Sequence, residues 1–352
     1  MRTNVKSYQY SLLLGFFVLI CLVASAAAEV LPGQVMVDPK NPFWLVYNRD
    51  LDDNGRLDPF FLCGPGDPEG FLYRGKRNKD GTRDGDQAKI IKRLQQHGGN
   101  CIYMIAVRTH GGDAWKDERR LPDIYPDKKH NPWVGQDPKK GLNEAILAQW
   151  EEWFTLMDEQ GIVIYFFFYD DAIKVGKTLG WPLSEDGNLH PREKAFIQAL
   201  VNRFEHHKHL IWCVMEEGQE IGAQWKRHIS QIAAAIREAD DHRHPIATHQ
   251  LGGNRFFHAA DRNLDQFAIQ TNADAVGNSK LLHEWLVQIR EKTPGLYSLN
   301  MSEDKIQGEL CEKGDRVGIR KRSWASAMAG AYVMVIGMDG AETPKQWLGD
   351  CR

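Results

Sequence analysis

Short apolar runs alternate along this chain with longer amphipathic stretches. The runs at residues 59–63, 101–107, 162–168, 210–215, 245–248, 267–270, 296–301 and 332–336 are four to seven residues long and mostly apolar. Strands buried on both faces of a parallel sheet have this appearance. Between them the period changes to that of a helix, at about residues 86–97, 142–160, 191–204, 219–239, 280–291 and 319–329. In the first of these Ile90, Ile91 and Leu94 share one face, and Pro191 suits the first turn of the third. Eight strands, each followed by helix or loop, predict an α/β chain closed into a (β/α)8 TIM barrel. No glycine-rich dinucleotide fingerprint follows the first strand, which argues against an open doubly wound sheet. A short N-terminal β-hairpin at about residues 43–63 is expected to lead into the barrel, and a short helix at residues 343–352 to close it. No Pro/Ser-rich linker divides the chain, so residues 29–352 read as a single domain.

The first 28 residues read differently. Arg2 and Lys6 precede an apolar core at residues 12–23, and the small residues Ala24 to Ala28 offer a cleavage site. That is the pattern of a signal peptide, and it predicts a secreted or periplasmic protein. A membrane anchor would carry a longer run and a basic stop-transfer segment. The formal net charge is −3, with both signs interspersed and no basic stripe. This excludes a nucleic-acid partner, and no later run is long enough to span a membrane. Beyond the signal lie Cys63, Cys101, Cys213, Cys311 and Cys351, with no CxxC spacing. The first three sit in apolar runs, where cysteine behaves as a small hydrophobe. A Cys311–Cys351 bridge would suit an oxidising compartment, but an odd count is not a disulfide framework.

The fourth strand, residues 210–215, runs straight into Glu216, Glu217 and Gly218, and the seventh leads to Glu303. In a barrel of this type the chemistry gathers at the C-terminal ends of the strands. Two carboxyl groups facing one another there can flank a glycosidic bond, one protonating the leaving oxygen and the other attacking or activating water. The plainer reading of Glu216 and Glu217 is an acidic helix start that complements the dipole. Other strand ends supply groups suited to holding substrate: Asp67 and Glu69, Arg108 and His110, Tyr169 and Asp170, His249, and Asn272. Turn caps and internal ion pairs would account for these residues equally well. Trp115, Trp133 and Trp181 in loops are candidate stacking platforms for a sugar face, or simple loop packing.

Two clusters have the look of metal sites. Asp50, Asp52, Asn54 and Gly55 follow the spacing of the first half of a calcium loop. Phe61 stands where the bidentate Glu of such a loop belongs, and a hairpin turn on Asn54-Gly55 is the alternative. His206, His207 and His209 precede the fourth strand, on the face of the barrel that serves stability rather than chemistry.

Trp212 on the fourth strand, the acids Glu216 and Glu217 behind it, and Glu303 after Leu299 and Asn300 together resemble clan A of the retaining (β/α)8 glycoside hydrolases. The stretch 322–331 is similar to the helix that follows the nucleophile strand in some of these enzymes. The resemblance implies Glu217 as acid/base and Glu303 as nucleophile. Glu216 takes the place of the clan's asparagine, which contacts the sugar 2-hydroxyl; a carboxylate accepts that bond but does not donate one as an amide does. Which of the two adjacent acids is the catalyst stays open at this level. The implied activity is retaining hydrolysis of O-glycosidic bonds in a poly- or oligosaccharide. It requires no cofactor, and any calcium would be structural. A barrel that binds glycans without cleaving them is one alternative, and a metal-dependent hydrolase using His110, Asp170 and His249 is another.

Overall fold

The computed structural model describes residues 29–66, 70–108, 130–170, 179–218, 224–271 and 277–336. Eight of its strands form one parallel sheet: β4 (Cys63–Gly66), β7 (Cys101–Val107), β8 (Val163–Tyr169), β9 (Leu210–Met215), β10 (Ile246–Leu251), β11 (Gln266–Thr271), β12 (Ser298–Asp304) and β13 (Ala331–Ile336). Their order is β4-β13-β12-β11-β10-β9-β8-β7, so the first and second barrel strands are the two ends of the ladder. Asn100 joins those ends. Its N–H donates to the Cys63 carbonyl at 2.8 Å, and its side-chain oxygen accepts from the Cys63 N–H at 2.8 Å. At the same seam Gly64 has no substitute, because a Cβ there would lie 2.1 Å from the Cys101 carbonyl oxygen. The predicted (β/α)8 barrel is the fold observed.

Alternation along the strands divides the apolar side chains into two layers. Tyr103, Ile105, Tyr165, Phe167, Ile211 and Cys213 fill the barrel. Met104, Phe166, Phe168, Trp212 and Val214 pack outward. The helices cover that outer layer: α1 (Gln87–Gln96), α2 (Glu144–Glu159), α3 (Pro191–Phe204), α4 (Trp225–Ala239), α5 (Ser279–Lys292), α6 (Lys305–Glu312) and α7 (Arg316–Met328). Local signals fix several starts. Asn143 caps α2 by accepting from the Ala145 N–H at 3.0 Å, and Pro191 opens α3.

The N-terminal hairpin is present, β2 (Leu45–Tyr47) pairing antiparallel with β3 (Pro59–Phe60), and a further strand, β1 (Val35–Val37), joins it on the other side of β2 to make a three-stranded sheet. Val35, Leu45 and Phe60 join the cluster inside the barrel, and the Val35 N–H donates to the Lys208 carbonyl at 2.9 Å, just before β9 begins. The sheet therefore plugs the end where the strands start. Residues 59–63 are apolar throughout, so the pattern does not reveal that the chain leaves the plug at Phe60 and enters the barrel at Cys63. The short pair β5 (Lys76–Arg77) and β6 (Arg83–Asp84) and the helix α6 also lie outside the predicted elements. Residues 1–28, the closing helix at 343–352 and Cys351 lie outside the described residues. Among the described residues no helix is long and apolar enough to cross a membrane.

One buried group makes stability depend on pH. His258, in the β10–β11 connection, is buried beside Trp225, and burial pushes its imidazole down to about 4, with Lys226 adding to the shift and Asp261 opposing it. A base depressed in the folded state contributes its full stability above its unfolded value near 6.5. That contribution is lost as pH falls from 6.5 towards 4, by about 3 kcal/mol in all. Urea unfolding of wild type and His258→Leu at several pH values checks this. Wild-type stability should fall relative to that of the variant by about 3 kcal/mol as pH drops from 6.5 to 4, and equal pH dependence in the two would contradict it.

Candidate active site

The C-terminal mouth of the barrel is built by two breaks in strand alternation. On β9, Ile211 and Cys213 face inward, so Met215 should do so next. Met215 instead belongs to the outer layer, and Glu216 is the residue that meets the barrel interior. Its Oε1 accepts from the Tyr103 hydroxyl at 2.9 Å, and the residue is only 4% exposed. Glu217 follows with φ +42°, a left-handed conformation that costs a non-glycine residue on the order of 1 kcal/mol. Strain of this kind at a strand end marks a position the surroundings hold in place.

The second break is a bulge in β12. Its ladder with β11 pairs Ile269 with Met301 and Gln270 with Glu303, which leaves Ser302 without a partner residue. The Ser302 hydroxyl satisfies the disrupted ladder by donating to the Ile269 carbonyl at 3.2 Å. A one-residue slip exchanges the two faces of a strand. Without it Asn300, Ser302 and Asp304 would share the inner face. With it Glu303 turns inward, and Asp304 turns outward to a fully buried pair with Arg322 of α7. Arg322 Nη2 donates to Asp304 Oδ1 at 2.8 Å, and its Nε reaches Oδ2; the Thr271 hydroxyl donates to Oδ1 at 3.2 Å.

His249 connects the two strand ends. It lies inside β10 rather than beyond its end as expected, because the strand runs to Leu251. The Glu217 N–H donates to its Nδ1 at 3.2 Å, which assigns the ring proton of the neutral imidazole to Nε2. Nε2 then points at Glu303 Oε1, 3.5 Å away, close enough for a charge–dipole contact but long for a hydrogen bond. The rings of Tyr103 and Phe167 flank the imidazole at centroid distances of 6.4 and 6.1 Å. Tyr103 and Ser302 are the two site residues that the sequence reading passed over. Tyr103 sits mid-strand in an apolar run that signals only burial, and a bulge leaves no mark in residue type.

The remaining candidates divide. Arg108 is buried at the end of β7, where its N–H donates to the His130 carbonyl at 2.8 Å. Asp170 is fully buried directly after β8, its N–H on the Val107 carbonyl at 3.1 Å. Tyr169 is not presented to the mouth. Its ring packs against Phe196 of α3 in the outer layer, and burial, then the neighbouring Glu193, pushes its phenol well above the usual range. Trp133 and Trp181 are not platforms either. They are 2% and 3% exposed and pack edge to face at 5.6 Å, both against Phe196. Asp67, Glu69, His110, Asn272 and Trp115 lie outside the described residues. In the Asp50 loop the carboxylates turn onto their own chain: Asp50 accepts from the Asn54 and Gly55 N–H groups at 3.1 and 2.8 Å, and Asp52 accepts from the Asn54 amide at 2.8 Å. Carboxylate oxygens of Asp50, Asp52 and Asp58 lie within 4.8 Å of one another, beside β2 and β3.

A barrel with inward acids at the ends of its fourth and seventh strands, β9 and β12, can be compared with known proteins. Residues 86–340, well over half of the chain, match the family described as apiosidase-like, catalytic domain. The chain belongs to the apiosidase-like family. The match takes in seven of the eight barrel strands and both acid-bearing ends; the plug and β4 precede it. No protein with a curated description matches the sequence.

Solved structures share the fold at low identity. A glycoside hydrolase family 5 protein from Bacteroides vulgatus superposes with a TM-score of 0.56 at 14% identity, over 88% of this chain and 63% of that one. The β-mannanase of the blue mussel Mytilus edulis gives 0.56 at 13% identity, over 91% and 95%. Endo-glycoceramidase II from Rhodococcus gives 0.51 at 14%, over 80% and 74%. The apiosidase-like chain spans about half of a further B. vulgatus structure, a putative glycoside hydrolase, covering 47% of it. These superpositions show the (β/α)8 barrel fold that the sequence pattern predicts.

Proposed function

We propose that this apiosidase-like protein is an exported glycosidase that cleaves an O-glycosidic bond of an oligo- or polysaccharide with retention. The observation that carries the reading is the convergence of the Glu217 backbone and the Glu303 carboxylate on His249. Three separate strands supply these residues, and two of them depart from regular geometry to do so. Structural acids at a helix start would need neither the bulge nor the left-handed backbone.

In the proposed reaction Glu303 is the nucleophile. Its carboxylate attacks the anomeric carbon while Glu217 protonates the leaving oxygen. Glu217 then takes a proton from water as that water displaces Glu303 and restores the free enzyme. His249, with its proton on Nε2, orients Glu303 and fixes the backbone of Glu217. Glu216 keeps its carboxylate on Tyr103 and offers its remaining lone pairs to a sugar hydroxyl. Its burial under that hydroxyl favours a binding role, and the more exposed Glu217 is better placed to exchange protons with substrate and water. Arg108 and Asp170 would frame the substrate from the neighbouring strand ends. No cofactor enters the reaction. Calcium on Asp50, Asp52 and Asn54 would serve stability alone.

The family description makes an apioside the first substrate to test, and the mannan- and glycoceramide-directed names of the fold relatives extend the panel. Proton NMR of the first-formed sugar, on a panel of aryl glycosides, checks the mechanism. The expected result is a first-formed anomer that matches the substrate. An inverted anomer would overturn the double displacement, and glycan binding without turnover on any substrate would favour a non-catalytic barrel.

A further inference from the structure

A second group of side chains lies at the opposite end of the barrel. Glu151 and Asp158 stand two turns apart on one face of α2, and His206, His207 and His209 occupy the connection from α3 into β9. Asp158 is tied down completely. It accepts from the Lys208 N–H at 3.1 Å, the His209 N–H at 2.9 Å, His209 Nδ1 at 3.0 Å and His207 Nδ1 at 3.2 Å. The Asp158 oxygen within hydrogen-bond distance of His207 Nδ1 can only accept, which places the ring proton on that nitrogen and leaves the lone pair of the neutral imidazole on Nε2.

That lone pair has no hydrogen-bond partner among the described residues, although the His207 side chain is only 3% exposed. Nε2 lies 3.2 Å from Glu151 Oε1 without forming a hydrogen bond, and His206 Nε2 lies 2.8 Å from the same oxygen. Arg203 approaches only the other oxygen, Oε2, at 3.8 Å. Two imidazole nitrogens and one carboxylate oxygen thus converge within 4.8 Å of one another. Ligands about 2 Å from a tetrahedral ion stand about 3.3 Å apart, and two of the three separations already approach this value. The third involves His206, whose side chain is 55% exposed and has room to close. A buried imidazole that donates its far nitrogen to a carboxylate is the usual outer support of a zinc-ligating histidine.

We propose that Glu151, His206 and His207 bind a divalent transition-metal ion of the zinc class, with solvent in the fourth position. Two nitrogens and one oxygen suit zinc better than calcium or magnesium, which take oxygen ligands. The ion would clamp α2 to the α3–β9 connection at the plugged end of the barrel. Its role is stability, since the chemistry lies at the other end.

Equilibrium dialysis of tag-free, chelator-treated full-length protein against zinc chloride, read by elemental analysis, tests the proposal. Wild type should hold one zinc per chain, and its Tm should rise by about 5 °C at zinc a hundredfold above Kd. Replacement of the exposed His206 by alanine, or Glu151→Gln, should weaken binding by about 100-fold or more and abolish the Tm rise. His207→Ala should do the same if it folds, and His206→Ala keeps the test decisive if it does not. Absence of stoichiometric zinc in wild type would overturn the proposal, as would equal zinc affinity in wild type and His206→Ala.

Discussion

Glu303→Gln is expected to lower kcat/KM by about 10⁴-fold while leaving the fold intact. The amide is the same size as the carboxylate and can still meet His249 Nε2 through its oxygen, so packing at the end of β12 changes little. The nucleophile, however, is gone, and the removal of a group that acts as part of a unit costs on this scale. Glu217→Ala should differ in a diagnostic way. With an activated aryl leaving group the first step needs little proton assistance, so its rate should fall modestly and the second step should become limiting. Burst kinetics on the same aryl glycoside would separate the two variants. Comparable losses at every leaving group would argue that Glu217 acts in binding, and attention would pass to Glu216.

Arg322→Ala should be the most destabilising single change near the site. Arg322 and Asp304 are 2% and 1% exposed and hold each other through two contacts, with the Thr271 hydroxyl as the third. Truncation leaves a buried carboxylate without its cation, which costs about 3–5 kcal/mol. In a barrel of this size that corresponds to a fall in Tm of about 10 °C or more. Activity should fall further than stability alone requires, because Asp304 anchors the residue next to Glu303 on the bulged strand. The double replacement Arg322→Met, Asp304→Leu should recover much of the stability, since it removes both charges. Thermal unfolding of the three variants checks the ordering. Equal Tm values for wild type and Arg322→Ala would contradict a structural role for the pair.

The barrel itself was legible because its parallel strands are buried on both faces. Cys101–Val107 and Leu210–Met215 have the bounds that the apolar runs suggest, and the helices between them begin or end within a few residues of their predicted limits. The same double burial hid the details that make the site. Where both faces are apolar, alternation carries no information, so neither the outward turn of Met215 nor the bulge at Ser302 could be read from residue type. Both acids were nominated as strand-end charges, but β12 in fact continues through Glu303 to Asp304. Trp133 and Trp181 misled for the opposite reason. They lie in polar stretches of sequence, yet they pack on Phe196 and leave the surface. His249 was named as a strand-end group without the partners that make it informative, because contacts between β9, β10 and β12 depend on register rather than local pattern.

The central claim is that Glu303 attacks the sugar and Glu217 serves as acid and then base. Azide rescue of Glu303→Gly and Glu217→Ala on an activated aryl glycoside tests it most directly. The account predicts that azide restores turnover in both, with a glycosyl azide of inverted configuration from Glu303→Gly and of retained configuration from Glu217→Ala. Full activity in either variant without azide, or a retained azide product from Glu303→Gly, would contradict it.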